Sequence, residues 1–281
     1  MSKRNLDWTQ NKLERFLKEG RGQGVGKEYK PWLTIQDIPS RGRASRLYSS
    51  KTDRLHHLFT DMETNLFYLF NWEDTVIDIR EHYPLLDMLD TVENTNDIEL
   101  HKLVDKKTKT PYIVTTSFLL TLKANGKKEI LALSVKSTTE LDKKYQLKLL
   151  EIQRRYWEAK GIKWFIVTQK DIPTVKSKNI EWLYTATDGN RGLSDEEIEY
   201  LSAILQTRLK ESNKSVRKIA SDFDNEFYLD SGTGVYLFKY LVAKKTIKVD
   251  IDKKIDINTA AHKVIMGFKE EKYYDISSGN G

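Results

Sequence analysis

The chain has 281 residues, 39% hydrophobic and 11% aromatic, with a net charge of +6; that is enough for one large or two modest domains with cores of their own. With no cysteine, disulfides and thiolate metal sites are excluded. No run approaches the roughly 20 apolar residues of a membrane span, and MSKRNLDWTQ has no apolar leader core, so a cytoplasmic location is expected.

A short helix is predicted over residues 8–18, followed by GRGQGVGKEYK. This is not a phosphate loop, because Glu28 stands where Ser or Thr should follow the lysine; a flexible loop is expected. Residues 41–54, RGRASRLYSSKTDR, set Arg41, Arg43, Arg46, Lys51 and Arg54 against one acid, Asp53. Such a cluster either neutralises phosphates or is a solvated basic loop.

Residues 57–70 have helical period, with Leu58, Met62, Leu66 and Leu69 in one stripe. Glu63 lies within that stripe, and a carboxylate there needs a partner, either a salt bridge or a cation. His56 and His57 are adjacent at the expected helix start and point apart, so they do not form a metal pair. A strand is predicted over 75–80, then a loop, EHYPLL, and a polar connection to about 110.

VTTSFLLTLKANGKKEILALSVKS, which begins at Val114 and ends at Ser137, reads as a hairpin. Asn125-Gly126 is the strongest short hairpin signal, and a two-residue turn there pairs positions that sum to 251. Ser117 then opposes Ser134 and Thr115 opposes Lys136, so Ser117, Ser134 and Lys136 share one face. The other face pairs Phe118 with Leu133 and Leu120 with Leu131. A helix over 141–160, stopped at Gly161, leads to a strand over 163–168; this is a βαβ crossover, so the sheet is mixed.

From about 172 the character changes. Residues 171–179 read as a link, 194–210, 214–223 and 232–243 as helices, and 245–258 as two short strands. The pattern is winged-helix-like, and by itself does not choose between DNA and protein as partner. Two domains are expected, 1–172 and 173–281. Glu63 on a helix, a residue on one strand and Lys136 on the next match the layout of metal-dependent nucleases, in which acids hold a divalent cation and a lysine assists attack by water.

The segments KEGRGQGVGKEYKPWLT, GRASRLYSSKTDRLHHLFTDME, VIDIREHYPLL, RRYWEAKGIKWFIVT and KNIEWLY, in this order, resemble TnsA, the endonuclease subunit of heteromeric Tn-seven-type bacterial transposases. The resemblance covers about residues 10–185. It implies a restriction-endonuclease-like α/β domain and a smaller winged-helix-like C-terminal domain. It also implies cutting of the 5′ strands at transposon ends with Mg²⁺, for which Mn²⁺ substitutes. Implied partners are double-stranded DNA at the transposon ends, a TnsB-like transposase that cuts and joins the 3′ strands, and a TnsC-like ATP-dependent regulator held by the C-terminal domain.

By the same resemblance, Glu63 is the family's glutamate and Lys136 its lysine, while Ser134 contributes its backbone carbonyl to the metal. Ser117 stands in TTSFL where the family has a metal-binding aspartate. A neutral hydroxyl is a poor Mg²⁺ ligand, so impaired catalysis is expected. Three explanations stand open: a substitution that traps uncut DNA, a lineage in which the subunit is only a scaffold, or relief by a nearby acid such as Asp105. Two other functions also stand open, a non-catalytic DNA-binding scaffold and a winged-helix transcription factor.

Overall fold

The turn at Asn125-Gly126 organises the larger sheet. Both residues take positive φ, 51° and 77°, as a tight hairpin turn of the primed type requires. The computed structural model describes residues 7–37, 43–93, 103–186, 189 and 191–269. By its internal contacts the chain divides into two units, Met1–Ile172 and Pro173–Gly281.

The first unit runs α1 (Gln10–Lys18), β1 (Ser45–Ser49), β2 (Arg54–Leu58), α2 (Asp61–Trp72), β3 (Val76–Pro84), α3 (Met88–Thr91), β4 (Thr115–Ala124), β5 (Lys127–Val135), α4 (Thr138–Leu141), α5 (Lys144–Ala159) and β6 (Lys163–Val167). Strands β1 and β2 form an antiparallel ribbon. The larger sheet has the order β3-β4-β5-β6, antiparallel except for the β5–β6 pair. Its register pairs Phe118 with Leu133, Leu120 with Leu131 and Ala124 with Lys127, as the turn dictates.

Helices cover both faces of this sheet. On one, Phe70 of α2 meets Phe118 edge to face, 5.3 Å between ring centres. On the other, Ile152, Tyr156 and Trp157 of α5 pack with Leu119 and Ala132. The result is a mixed α/β unit whose sheet lies between helices.

Several expected boundaries move. The helix expected from residue 57 starts at Asp61, capped by Thr60, whose hydroxyl accepts the Glu63 N–H at 3.1 Å. Residues 54–58 are strand instead, because pairing with β1 satisfies their backbone. The strand expected over 75–80 continues to Pro84, since EHYP keeps pairing with β4. The helix over 141–160 is α5, which starts at Lys144, and the short α4 precedes it with Asp142-Lys143 between them. GRGQGVGKEYK closes on itself rather than trailing free: Gly22 N–H donates to Lys30 O at 2.6 Å and Lys30 N–H to Gln23 O at 3.1 Å.

The second unit contains α6 (Thr174–Tyr184), α7 (Asp195–Glu211), α8 (Val216–Glu226), α9 (Thr233–Ala243), β7 (Ile247–Val249), α10 (Ala261–Val264) and β8 (Ile265–Phe268). Most of the expected link is therefore helix α6, anchored by buried Ile180 and Leu183. Helices α8 and α9 approach so closely at Gly234 that a Cβ there would lie 2.6 Å from the Ala220 carbonyl oxygen. The two strands expected within 245–258 are also corrected: β7 pairs with β8, and residues 250–260 form a loop. The Asn179 amide holds that loop, donating to Ile251 O and Lys253 O and accepting from Ile255 N–H, at 2.8, 2.7 and 3.2 Å. A backbone held by a side chain in this way is not free to pair as a ribbon.

Candidate active site

The expected site residues that the structure describes differ in their local environments. Glu63 is 7% exposed, and its carboxylate accepts the Phe59 N–H at 2.7 Å. Together with the Thr60 cap this satisfies two of the free donors at the start of α2, a variant of the capping box. The Phe59 ring in turn stacks on the His82 imidazole, 4.0 Å between centres.

The structure separates Ser117 from Ser134, which the regular register would place on one face. The paired ladder ends at Phe118–Leu133. Beyond it, the Val135 N–H donates to Ser117 Oγ at 2.9 Å. Thr116, not Ser117, joins Ser134: both hydroxyls donate to the Gln153 side-chain oxygen of α5, at 3.0 and 2.6 Å. Two indole N–H groups complete this buried cluster, Trp157 donating to Thr116 and Trp164 to Ser134, each at 2.8 Å. Interruption of the ladder is what changes the alternation of side chains, and no turn-based register could reveal it.

Lys136 follows β5 and is half-buried, its N–H bonded to Val167 O at 3.0 Å. No ion pair involves its ammonium among the described residues, although its charge helps to keep the Glu140 carboxyl below the ordinary range, against the opposing effect of burial. Asp105, the possible substitute acid, is committed to its own loop. Its carboxylate accepts from the Tyr112 hydroxyl and from the Thr108 and Lys107 N–H groups, which hold its pKa at about 2.

The basic cluster divides. Arg43 and Arg46 are exposed, and Arg41 lies outside the described residues. Lys51 donates to Phe70 O and Glu73 O, at 3.2 and 2.6 Å, so it neutralises the C-terminal end of α2. Arg54 is removed from the candidate phosphate contacts altogether. It is 9% exposed and forms two hydrogen bonds to Glu81, of 2.9 and 2.6 Å, and a third to Ile79 O.

Glu81, which sequence reasoning left in a loop, is the hub of the first unit. It is fully buried and also accepts from His57 N–H and contacts His56 Nδ1 at 2.9 Å. Burial pushes its pKa up, but the charge of His56 and the hydrogen bonds from Arg54 and His56 outweigh this and hold it far below the ordinary range. A buried carboxylate of this kind ties the β1–β2 ribbon to the sheet. Gln153 was missed as well; it is 3% exposed on the apolar face of a helix, and a polar residue at such a position was its only sequence signal.

The donor set bears directly on a metal. Among the described residues no group of three His, Cys, Asp or Glu side chains converges. One carboxylate, already bonded to Phe59 N–H, and one hydroxyl, already bonded to Val135 N–H, do not make a firm Mg²⁺ site, which depends on carboxylate oxygens and near-octahedral geometry.

Two family models match the chain: "TnsA-like endonuclease N terminal" over residues 73–169 and "TnsA endonuclease C terminal" over residues 171–251. The chain is also 37% identical, over 267 residues, to the Escherichia coli "Transposon Tn7 transposition protein TnsA", covering 93% of both chains. An α/β sheet between helices, followed by a helical second unit, is thus the frame of a transposition endonuclease. The chain belongs to the TnsA family and is a TnsA-like transposition endonuclease subunit.

Proposed function

We propose that this subunit occupies the place of the 5′-strand endonuclease at transposon ends, and that Ser117 impairs its own cut. Full activity would be hydrolysis: water adds to phosphorus and the bond to the leaving oxygen breaks, yielding a 3′-hydroxyl and a 5′-phosphate. Lys136 supplies a cation for the phosphate in this reading, and Glu63 the remaining acid. The observation that carries it is the bond from Val135 N–H to Ser117 Oγ: position 117 offers a neutral, occupied hydroxyl where a restriction-endonuclease-like site needs charge to draw Mg²⁺ or Mn²⁺ from water.

The partners in this reading are double-stranded transposon-end DNA, a TnsB-like transposase that cuts the 3′ strands, and a TnsC-like regulator bound by the second unit, in the cytoplasm and on the nucleoid when engaged. Arg43 and Arg46 are the available backbone contacts, together with Arg41. The second unit suits a protein partner better than DNA. Within α9 of the winged-helix-like module Thr233, Gly234, Tyr236, Leu237, Phe238, Leu241 and Val242 are all buried, so little of that helix is free to enter a groove.

A nicking assay on a transposon-end duplex, with the partner transposase and Mg²⁺ or Mn²⁺, compares the chain with Ser117→Asp. The variant should cut the 5′ strand at least about 100-fold faster, as expected when a missing charged ligand is worth about 2.7 kcal/mol. Equal rates would show that Ser117 is not the defect. If neither protein cuts while both support 3′ cleavage, the subunit is a non-catalytic scaffold.

A further inference from the structure

The β4–β5 hairpin ends in three exposed lysines, Lys123, Lys127 and Lys128. Lys123 and Lys128 are directly opposed in the register. Like charges placed this way repel at close range and weaken the hairpin. Other surface lysines are paired with acids, as Lys163 is with Glu129 at 2.6 Å and Lys218 with Asp222 at 2.7 Å. Among the described residues none of the three hairpin lysines has such an acid. The turn between them is tight, both of its residues sitting at positive φ, and the ladder is paired up to Ala124–Lys127, so the charges stand at the end of a paired hairpin rather than on a long loop.

We infer that this hairpin tip is a second contact for the phosphate backbone of DNA, separate from the candidate active site. A polyanion with regularly spaced charges relieves the Lys123–Lys128 repulsion and releases counterions on binding. The tip residues Ala124, Asn125 and Gly126 offer no apolar anchor for a protein partner, so a sequence-independent backbone contact is the chemistry that fits. Positions 117 and 124 are seven residues apart along β4, about 23 Å at roughly 3.3 Å per residue. That is about seven base pairs of duplex, so one molecule can touch DNA at both places. The inference rests on the reading of the chain as a DNA-acting subunit.

Binding of the full chain to a labelled 40-base-pair transposon-end duplex, and to a scrambled duplex of equal length, is measured by anisotropy from 50 to 200 mM salt. The variant K123Q/K127Q/K128Q should bind both duplexes at least about tenfold more weakly at 100 mM. Its log K against log salt slope should be shallower by 2 to 3, near 0.9 per lost phosphate contact. A control of the same charge, K109Q/K144Q/K170Q, alters exposed lysines away from the tip and should change the slope by less than 1. The tip variant should melt no lower than the parent, because it removes a repulsion. An unchanged slope in the tip variant, or equal losses in tip variant and control, overturns the inference. Failure of Ser117→Asp to nick while tip-dependent binding persists strikes only the functional reading.

Discussion

Ser117 Oγ accepts the backbone N–H of Val135 at 2.9 Å, taking the place of a carbonyl at the point where the β4–β5 ladder stops. The serine is thus a backbone partner at the end of the hairpin. Ser117→Ala leaves the Val135 donor unpaired and should cost about 1 to 2 kcal/mol. Ser117→Asp keeps an acceptor there and should lie within about 1 kcal/mol of the parent. Urea unfolding of the three proteins checks this; an alanine variant as stable as the parent would show that the bond is unimportant.

Glu81→Gln should be the more damaging change. It leaves the Arg54 charge buried without its counter-charge, a loss typically of about 3–5 kcal/mol. The pH dependence has a definite sign. The Glu81 carboxyl titrates lower in the folded chain than in the unfolded one, so its contribution is complete above the unfolded value, about 4.3. It is lost progressively as pH falls from there towards the depressed folded value. Urea midpoints at pH 7, 5, 4 and 3 should fall below pH 4.5 in the parent and change less over that range in Glu81→Gln. Parallel curves would remove Glu81 from the acid response.

Arg46 and Arg54, eight positions apart, should fail in different ways. Arg46→Gln removes an exposed charge; it should weaken duplex binding and reduce the salt slope by about 1 while leaving the melting temperature unchanged. Arg54→Gln should lower the melting temperature by several degrees, because it opens the Glu81 pair. Thermal melts alongside anisotropy separate the two, and an Arg54 variant that melts like the parent while losing DNA would return Arg54 to the interface.

Asn179→Ala removes three hydrogen bonds to the 251–255 backbone. Amide hydrogens at 251–260 should exchange at least tenfold faster, with α7 and α8 unaffected. Exchange unchanged in that loop would mean that its conformation does not depend on the asparagine.

The hairpin was legible in the chain from its turn as far as Phe118 and Leu133. Asn-Gly, flanked by alternating apolar residues, dictates a turn, a register and the apolar face that carries Phe118 and Leu133, because all of these depend on neighbours within a few residues. Three helices of the second unit, α7, α8 and α9, were also readable, whereas α6 was read as a link. Glu63, Ser117 and Lys136 could be singled out by resemblance to the TnsA family, without any knowledge of what each side chain touches. What only the tertiary structure decided was the fate of the polar side chains. Arg54 and Glu81 are 27 positions apart and Ser134 and Gln153 are 19 apart, and neither pair leaves a periodic trace. Local chemistry sets backbone direction within a turn or two. Whether an arginine faces solvent or a buried carboxylate depends on which distant strand closes over it, and desolvation makes that choice all or nothing.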